Sequence, residues 1–278
     1  MISCIIYIIY RKVKFWGNGD DMNPIYENEL VTLYCGDCLE IMPELDAKFD
    51  CCITDPPYGT TACKWDSVIP FEYMWKELKR LIKANGAICL FGSEPFSSLL
   101  RCSNLEMFKY DWIWNKKTGL GFLDSKFRPL KSHEIISIFS QGGCSNGSNL
   151  TMNYFPQDLI RTTKQNSNSK SNILNSEPTK RKNLNTEYTN YPKTIISYSR
   201  VSGLHPTQKP VELIEYLIKT YTKENEIILD FTAGSGTTGV AAMETNRKCI
   251  LIEKEPKYCE TTIQRLKDKE KELAERLF

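Results

Sequence analysis

The decapeptide CITDPPYGTT, residues 52–61, sets an acid, two prolines and an aromatic ring directly behind an apolar strand pattern. Side chains of such different kinds pack poorly together as core. Asp55, Pro56, Pro57 and Tyr58 are therefore read as a candidate catalytic group, with a Pro-rich turn as the structural alternative. Neither proline has an N–H to donate, and Pro56 biases Asp55 toward an extended backbone. A carboxylate on so stiff a turn suits a hydrogen-bond acceptor of defined direction.

A second group lies far along the chain. ILDFTAGSGTTGVAAMETNRKCILIE, residues 228–253, reads as strand, glycine turn, helix and strand, and ends on an acid. Gly234, Gly236 and Gly239 complete a G-x-G-x-x-G pattern whose glycines let backbone approach a ligand. Glu253 stands where an acid accepts hydrogen bonds from ribose hydroxyls. The pattern alone fits a dinucleotide as well as a smaller nucleoside ligand. Chain position separates the two: a dinucleotide site continues into further βαβ units, whereas one charged helix pattern, 257–275, follows the acid here. A nucleoside ligand such as S-adenosylmethionine needs only the first half-site, and the stretch 52–61 then supplies the second component of a transfer reaction.

Both groups must be carried by regular elements. Seven strands are expected, at 29–35, 49–54, 86–91, 111–114, 133–139, 226–231 and 248–253, with helix-period stretches at 71–84, 94–103, 209–222 and 238–246. Near-continuous apolar strands alternating with helices imply a mostly parallel sheet covered on both faces, a doubly wound α/β fold. No helical pattern separates 111–114 from 133–139, so these two are expected as an antiparallel pair at one edge. EYMWKELKRLIK, 72–83, reads as a covering helix with Met74, Leu78 and Leu81 in the core.

From Gln141 to about Leu204 the composition turns to Asn, Ser, Thr and Lys, which marks an insertion. Residues 161–200 hold eight Lys or Arg against two Glu, a larger excess than the +2 of the whole chain. Such an excess suits a phosphate backbone, and a solvated loop is the plain alternative. Tyr154, Phe155, Tyr188, Tyr191 and Tyr198, interleaved with basic and amide side chains, favour base contacts.

The remaining signals are bounds. Eleven cysteines, five of them in or beside apolar runs, fit a reducing cytoplasm. One C-x-x-C (Cys35, Cys38) and two histidines (His133, His205) offer few zinc ligands, so no metal is expected, and both histidines are read as structural. The apolar run near the start is too short for a bilayer and has its basic residues on the wrong side for a secretory signal. Residues 1–21 are expected to be an extension contributing little to the fold.

With DPPY and DFTAGSG in hand, the chain resembles the DNA methyltransferases that modify the amino groups of adenine (N6) or cytosine (N4). GDCLE (36–40), LIKANGAICLFGS (81–93), DWIWNK (111–116), HEIISIF (133–139) and HPTQKP (205–210) extend the resemblance over about residues 29–260. The order, catalytic motif, then insertion, then glycine loop, is similar to the β group. The resemblance implies a Rossmann-like, S-adenosylmethionine-dependent fold. It has a catalytic half at 22–140, a target recognition insertion at 141–204 and a cofactor-binding half at 205–278.

The resemblance also implies roles. Asp37 looks like the acid that meets the cofactor's adenine, Glu253 the ribose ligand, and Phe231, Thr232, Ala233, Gly234, Ser235 and Gly236 the loop around its methionine portion. Thr207, Lys209 and Thr237 match positions near its carboxylate. Asp55 and the Pro56 carbonyl are implied to accept the two hydrogens of the target amino group, and Tyr58 to stack on a base flipped out of double-stranded DNA. Lys180, Arg181, Lys182 and Arg200 are the expected DNA contacts. Aspartate before the prolines favours adenine N6 over cytosine N4. RNA or protein methylation, a non-catalytic DNA-binding relic and an NAD-dependent dehydrogenase are weaker readings. A homodimer and a cognate restriction endonuclease are left open.

Overall fold

The computed structural model describes residues 23–60, 66–162, 187–201 and 208–276. The expected extension 1–21, His205, Thr207, Lys180, Arg181 and Lys182 lie outside the described residues. All seven expected strands form, as β2 (Val31–Cys35), β3 (Phe49–Thr54), β4 (Ile82–Gly92), β5 (Phe108–Leu120), β6 (Lys131–Phe139), β10 (Ile227–Asp230) and β11 (Lys248–Glu253). Two short strands, β1 (Tyr26–Glu27) and β9 (Ile195–Ser197), extend the sheet to nine, in the order β1-β2-β11-β10-β3-β4-β6-β5-β9. From β2 through β4 neighbours run parallel, and β6 then pairs antiparallel with both β4 and β5. The expected antiparallel pair is therefore present. It is not outermost, because Ile195–Ser197 adds in parallel against Ile113–Asn115 and the Trp114 indole donates to the Tyr198 carbonyl.

Helices cover both faces, as continuous apolar strands require. Along β3, Cys51 and Ile53 point into one core while Phe49 and Cys52 point into the other; β11 divides Cys249 and Leu251 from Ile250 and Ile252 in the same way. One face is covered by α4 (Val211–Tyr221), α5 (Thr237–Glu244) and Leu266 of α6 (Pro256–Glu275). The other is covered by α1 (Cys38–Glu44), α2 (Phe71–Leu81) and α3 (Phe96–Cys102). Met74, Leu78 and Leu81 of α2 are all buried, as their helical spacing predicts.

Chain contacts separate Pro156–Lys193 from everything else. Within that small unit β7 (Ile160–Arg161) pairs antiparallel with β8 (Tyr188–Thr189), and Arg161 meets Glu187 at 3.1 Å. Tyr188 and Tyr191 are exposed there. Phe155 and Tyr198 belong instead to the large unit, where the Phe155 amide donates to Thr220 and Tyr198 packs on Tyr216. Among the described residues no helix is long and apolar enough to cross a membrane.

Candidate active site

Strands β2, β11, β10 and β3 are parallel neighbours, so their carboxyl ends open on the same edge of the sheet, where doubly wound folds place ligands. Gly36 and Asp37 follow β2, Glu253 closes β11, Phe231 follows β10 and Asp55 follows β3. A cavity of about 280 Å³ lies there. Its wall includes Asp37, Phe231, Thr232, Ala233, Gly234, Ser235, Thr237 and Glu253, together with Asp55, Pro56, Pro57, Tyr58 and Lys209. Two groups nearly 180 positions apart in sequence thus share one space.

The glycine loop is shaped from below by α6. Gly236 takes a left-handed φ of +72° at the entry to α5, and a Cβ there would fall 2.4 Å from Thr262 Cγ2, so only glycine fits. Thr262 donates to the Gly234 carbonyl at 3.0 Å. Arg265, one turn on, donates to the Ser235 carbonyl (2.5 Å), to Ser235 Oγ (3.0 Å) and to Thr237 Oγ1 (3.1 Å). From the opposite side, Glu253 accepts from the Gly234 amide at 2.6 Å and from the Glu255 amide at 2.8 Å. Burial nevertheless pushes its carboxyl above the usual range. Asp37 caps α1 through the Leu39 amide (2.9 Å) and meets Lys254 at 2.8 Å. Those two partners outweigh burial and hold its carboxyl low.

Asp230, the last residue of β10, ties the two halves of the site together. One oxygen accepts from Thr54 Oγ1 at 2.7 Å and from the Thr232 amide at 3.2 Å; the other accepts from Thr238 Oγ1 at 2.6 Å. Thr54 also meets Thr232 Oγ1 at 2.7 Å, which locks the end of β3, and hence Asp55, against the start of the glycine loop. Asp230 is 4% exposed, and burial pushes its carboxyl up to about 6 despite these three donors.

At the catalytic candidate, Tyr58 donates to Asp55 Oδ1 and its ring stacks on Phe96, centroids 5.0 Å apart. Asp66 accepts from the Gly59 and Thr60 amides at 2.8 and 2.9 Å and so fixes the turn beyond. Lys209, expected near a cofactor carboxylate, directs its ammonium to Asp55 Oδ2 at 2.5 Å and to Glu134 Oε2 at 3.3 Å, over the face of Phe91. Glu134 is bonded in turn to Lys116. Burial pushes the Asp55 carboxyl up and the Lys209 charge pulls against it, while the Glu134 charge adds to the rise. Burial disfavours the Lys209 charge, yet its two carboxylates hold the ammonium above the usual range.

Arg200, the described member of the expected DNA-binding set, is exposed; burial chiefly disfavours the Lys116 charge, and Lys209 and then Arg200 add to that effect. Sequence reasoning missed Asp230, Thr262, Arg265, Asp66, Glu134 and Lys116. An acid directly ahead of a glycine loop was a signal available for Asp230. Asp66 acts within its own turn region, six and seven residues from the amides it bonds, but no motif marks it. Thr262, Arg265, Glu134 and Lys116 carry no local pattern, because each acts on a separate element.

The family model for N6/N4 DNA methylases matches residues 49–264. Type II methyltransferase M1.MboII of Moraxella bovis is 27% identical, over 83% of this chain and 94% of its own length. The DNA adenine methyltransferase YhdJ of Escherichia coli K12 is also 27% identical, over 87% and 84%. Among solved structures, PvuII DNA methyltransferase (cytosine-N4-specific) superposes with a TM-score of 0.63 at 16% identity, covering 87% of this chain and 88% of that one. The complex of M1.HpyAVI with S-adenosylmethionine superposes at 0.58 and 24% identity, covering 85% and 99%. With most of its length matched by one family model, the chain belongs to the N6/N4 DNA methylase family.

Proposed function

We propose that this protein is a site-specific DNA methyltransferase that transfers a methyl group from S-adenosylmethionine to the exocyclic N6 of adenine in double-stranded DNA after base flipping. The observation that carries the reading is the shared cavity, in which the Asp55–Tyr58 turn faces the glycine loop and the acids Asp37 and Glu253. Relatives named as type II and DNA adenine methyltransferases support DNA as the substrate and adenine as the base. The M1.HpyAVI complex supports the cofactor.

The wall fits that cofactor. Asp37, Asp230 and Glu253 present carboxylates to a ligand that carries a sulfonium and an ammonium, and the glycine loop leaves its backbone open to close approach. The first turn of α5, entered through Ser235–Thr237, favours the cofactor's carboxylate. Phe231 and Thr232–Gly234 would hold its methionine portion, with Thr207 beside the carboxylate. The bound cofactor supplies an electrophilic methyl group.

The rest of the chemistry belongs to the chain. The amino nitrogen of adenine has its lone pair delocalised into the ring. Asp55 and the Pro56 carbonyl accept its two hydrogens, favour a tetrahedral nitrogen and stabilise the positive charge growing on it. Tyr58 offers a stacking surface worth about 1–3 kcal/mol to the extruded base. Lys180, Arg181, Lys182 and Arg200 hold the DNA backbone. Neutralising the first three weakens binding and flattens its salt dependence, and an unchanged slope would move the DNA elsewhere. The reading places the enzyme in the cytoplasm and extends to a cognate restriction endonuclease and a homodimer, the latter checked by light scattering.

Nucleoside mass spectrometry tests the whole reading, on DNA from methylation-deficient cells expressing wild type or Asp55→Ala. N6-methyladenine with the wild type alone is the expected result. N4-methylcytosine would keep the mechanism and overturn the base, and neither mark from soluble protein that binds S-adenosylmethionine would overturn DNA as the substrate.

A further inference from the structure

Behind the Asp55 carboxylate stands a row of charges drawn from three elements. Lys209, just ahead of α4, lies 2.5 Å from Asp55 and 3.3 Å from Glu134 on β6. Glu134 is bonded through its other oxygen to Lys116 on β5, the neighbouring strand of the antiparallel ladder, in which Trp114 pairs with Glu134. Lys116, Glu134 and Lys209 keep only 7%, 13% and 8% of their side chains exposed. The signs alternate along the row and cancel, as burial of four charges requires.

Stability is a weak explanation for such a row, because apolar side chains of similar volume often hold a fold as well. Its position points to the reaction. An ammonium 2.5 Å from Asp55 competes with the target amino group for the carboxylate that is to accept its hydrogens. Without Glu134, Lys209 would direct more of its charge to Asp55. Glu134 draws the same ammonium at 3.3 Å, and Lys116 in turn steadies Glu134.

We infer that Glu134 is a positioning residue for methyl transfer: it divides the Lys209 charge, so that Asp55 stays held in place yet basic enough to accept the amino hydrogens. The inference rests on the role of Asp55 proposed above. Lys116 completes the device by keeping Glu134 in the row.

Among the described residues, the charged and titratable groups facing Asp55 are Tyr58 from its own turn, Lys209, Glu134 and Asp230, with Lys116 and Arg200 one contact further out. Removing a negative neighbour lowers the pKa of a carboxylate and removing a positive one raises it, by about one pH unit or more at such distances. The turnover–pH profile is the readout, recorded with saturating S-adenosylmethionine on a duplex carrying the methylated site found by sequencing. Glu134→Gln should shift the acidic limb down by about one pH unit and cut the plateau about 10- to 100-fold. Lys209→Met and Lys116→Met should both shift it up. Asp230→Asn identifies the limb that belongs to Asp230.

A merely structural row would lower activity without this pattern of signs. Glu134→Asp, which keeps the charge, should hold the limb in place, and calorimetric binding of S-adenosylmethionine shows that each variant is folded. An unmoved Glu134→Gln profile with turnover within twofold of wild type overturns the inference, as does a shift in the same direction as Lys209→Met. Should Glu134→Gln not fold, the two lysine variants decide, since either limb staying put is equally fatal. Full turnover by Asp55→Ala would instead remove the underlying role of Asp55, a separate failure read from a separate variant.

Discussion

Asp230 carries a charge at a cost to the fold. Its carboxyl is raised from 3.8 to about 6 by burial, against the pull of Thr238, Thr54 and the Thr232 amide. A carboxyl whose native pKa lies above its unfolded value binds protons more tightly when folded. Stability therefore rises as pH falls from about 6 towards 3.8, and the full cost is present above 6. At 1.36 kcal/mol per decade the cost is roughly 3 kcal/mol. Asp230→Asn removes the charge and keeps the shape. Because some charge-assisted bonding from the two threonines is lost, we expect a gain of about 1–3 kcal/mol at neutral pH, or about 2–10 °C in Tm. The site should suffer in exchange: withdrawing one negative charge from the wall costs a bound cation on the order of 1–3 kcal/mol, about ten- to a hundredfold in affinity for S-adenosylmethionine. Differential scanning calorimetry from about pH 4 to 8 and isothermal titration separate the two effects. A variant that melts no higher than wild type at pH 8, or that keeps the wild-type rise in stability on acidification, would refute the reasoning.

Other sites give sharper single outcomes. Gly236→Ala meets Thr262 Cγ2 at 2.4 Å and occupies a left-handed φ, so it should cost about 2–5 kcal/mol in a melting curve; Thr262→Ser in the same chain should restore part of the loss. Arg265→Met frees Ser235 and Thr237 of a common donor and should weaken S-adenosylmethionine binding about tenfold in titration while leaving DNA binding intact. Asp55→Ala should retain the cofactor and lose about 10²–10³ in turnover, measured by methyl incorporation.

Much of the fold was legible because strand and helix periodicities are local. Phe49–Thr54 and Lys248–Glu253 matched their expected bounds to the residue, since mostly apolar short runs bounded by polar turns mark a buried strand locally. The two chemical groups were legible for the same reason: DPPY and the glycine loop are each contiguous, and a stiff turn or a left-handed glycine writes its requirement into neighbouring residues. Ile195–Ser197 was not legible, because a three-residue strand amid Asn, Ser and Thr carries no period and forms only by adding to β5.

Tertiary structure alone decided what surrounds the two groups. Parallel order brought β3 beside β10, and only then could Thr54 reach Asp230 across 176 positions of sequence. Lys209, Glu134 and Lys116 became one charge row through the meeting of β5, β6 and the segment before α4, and Thr262 and Arg265 came under the glycine loop because α6 packs back on the sheet. Local sequence determines which side chains can do chemistry, since backbone stiffness and residue type act at short range. Which charges face them is set by long-range packing, and in a buried site that electrostatic environment governs how strongly an acid can act.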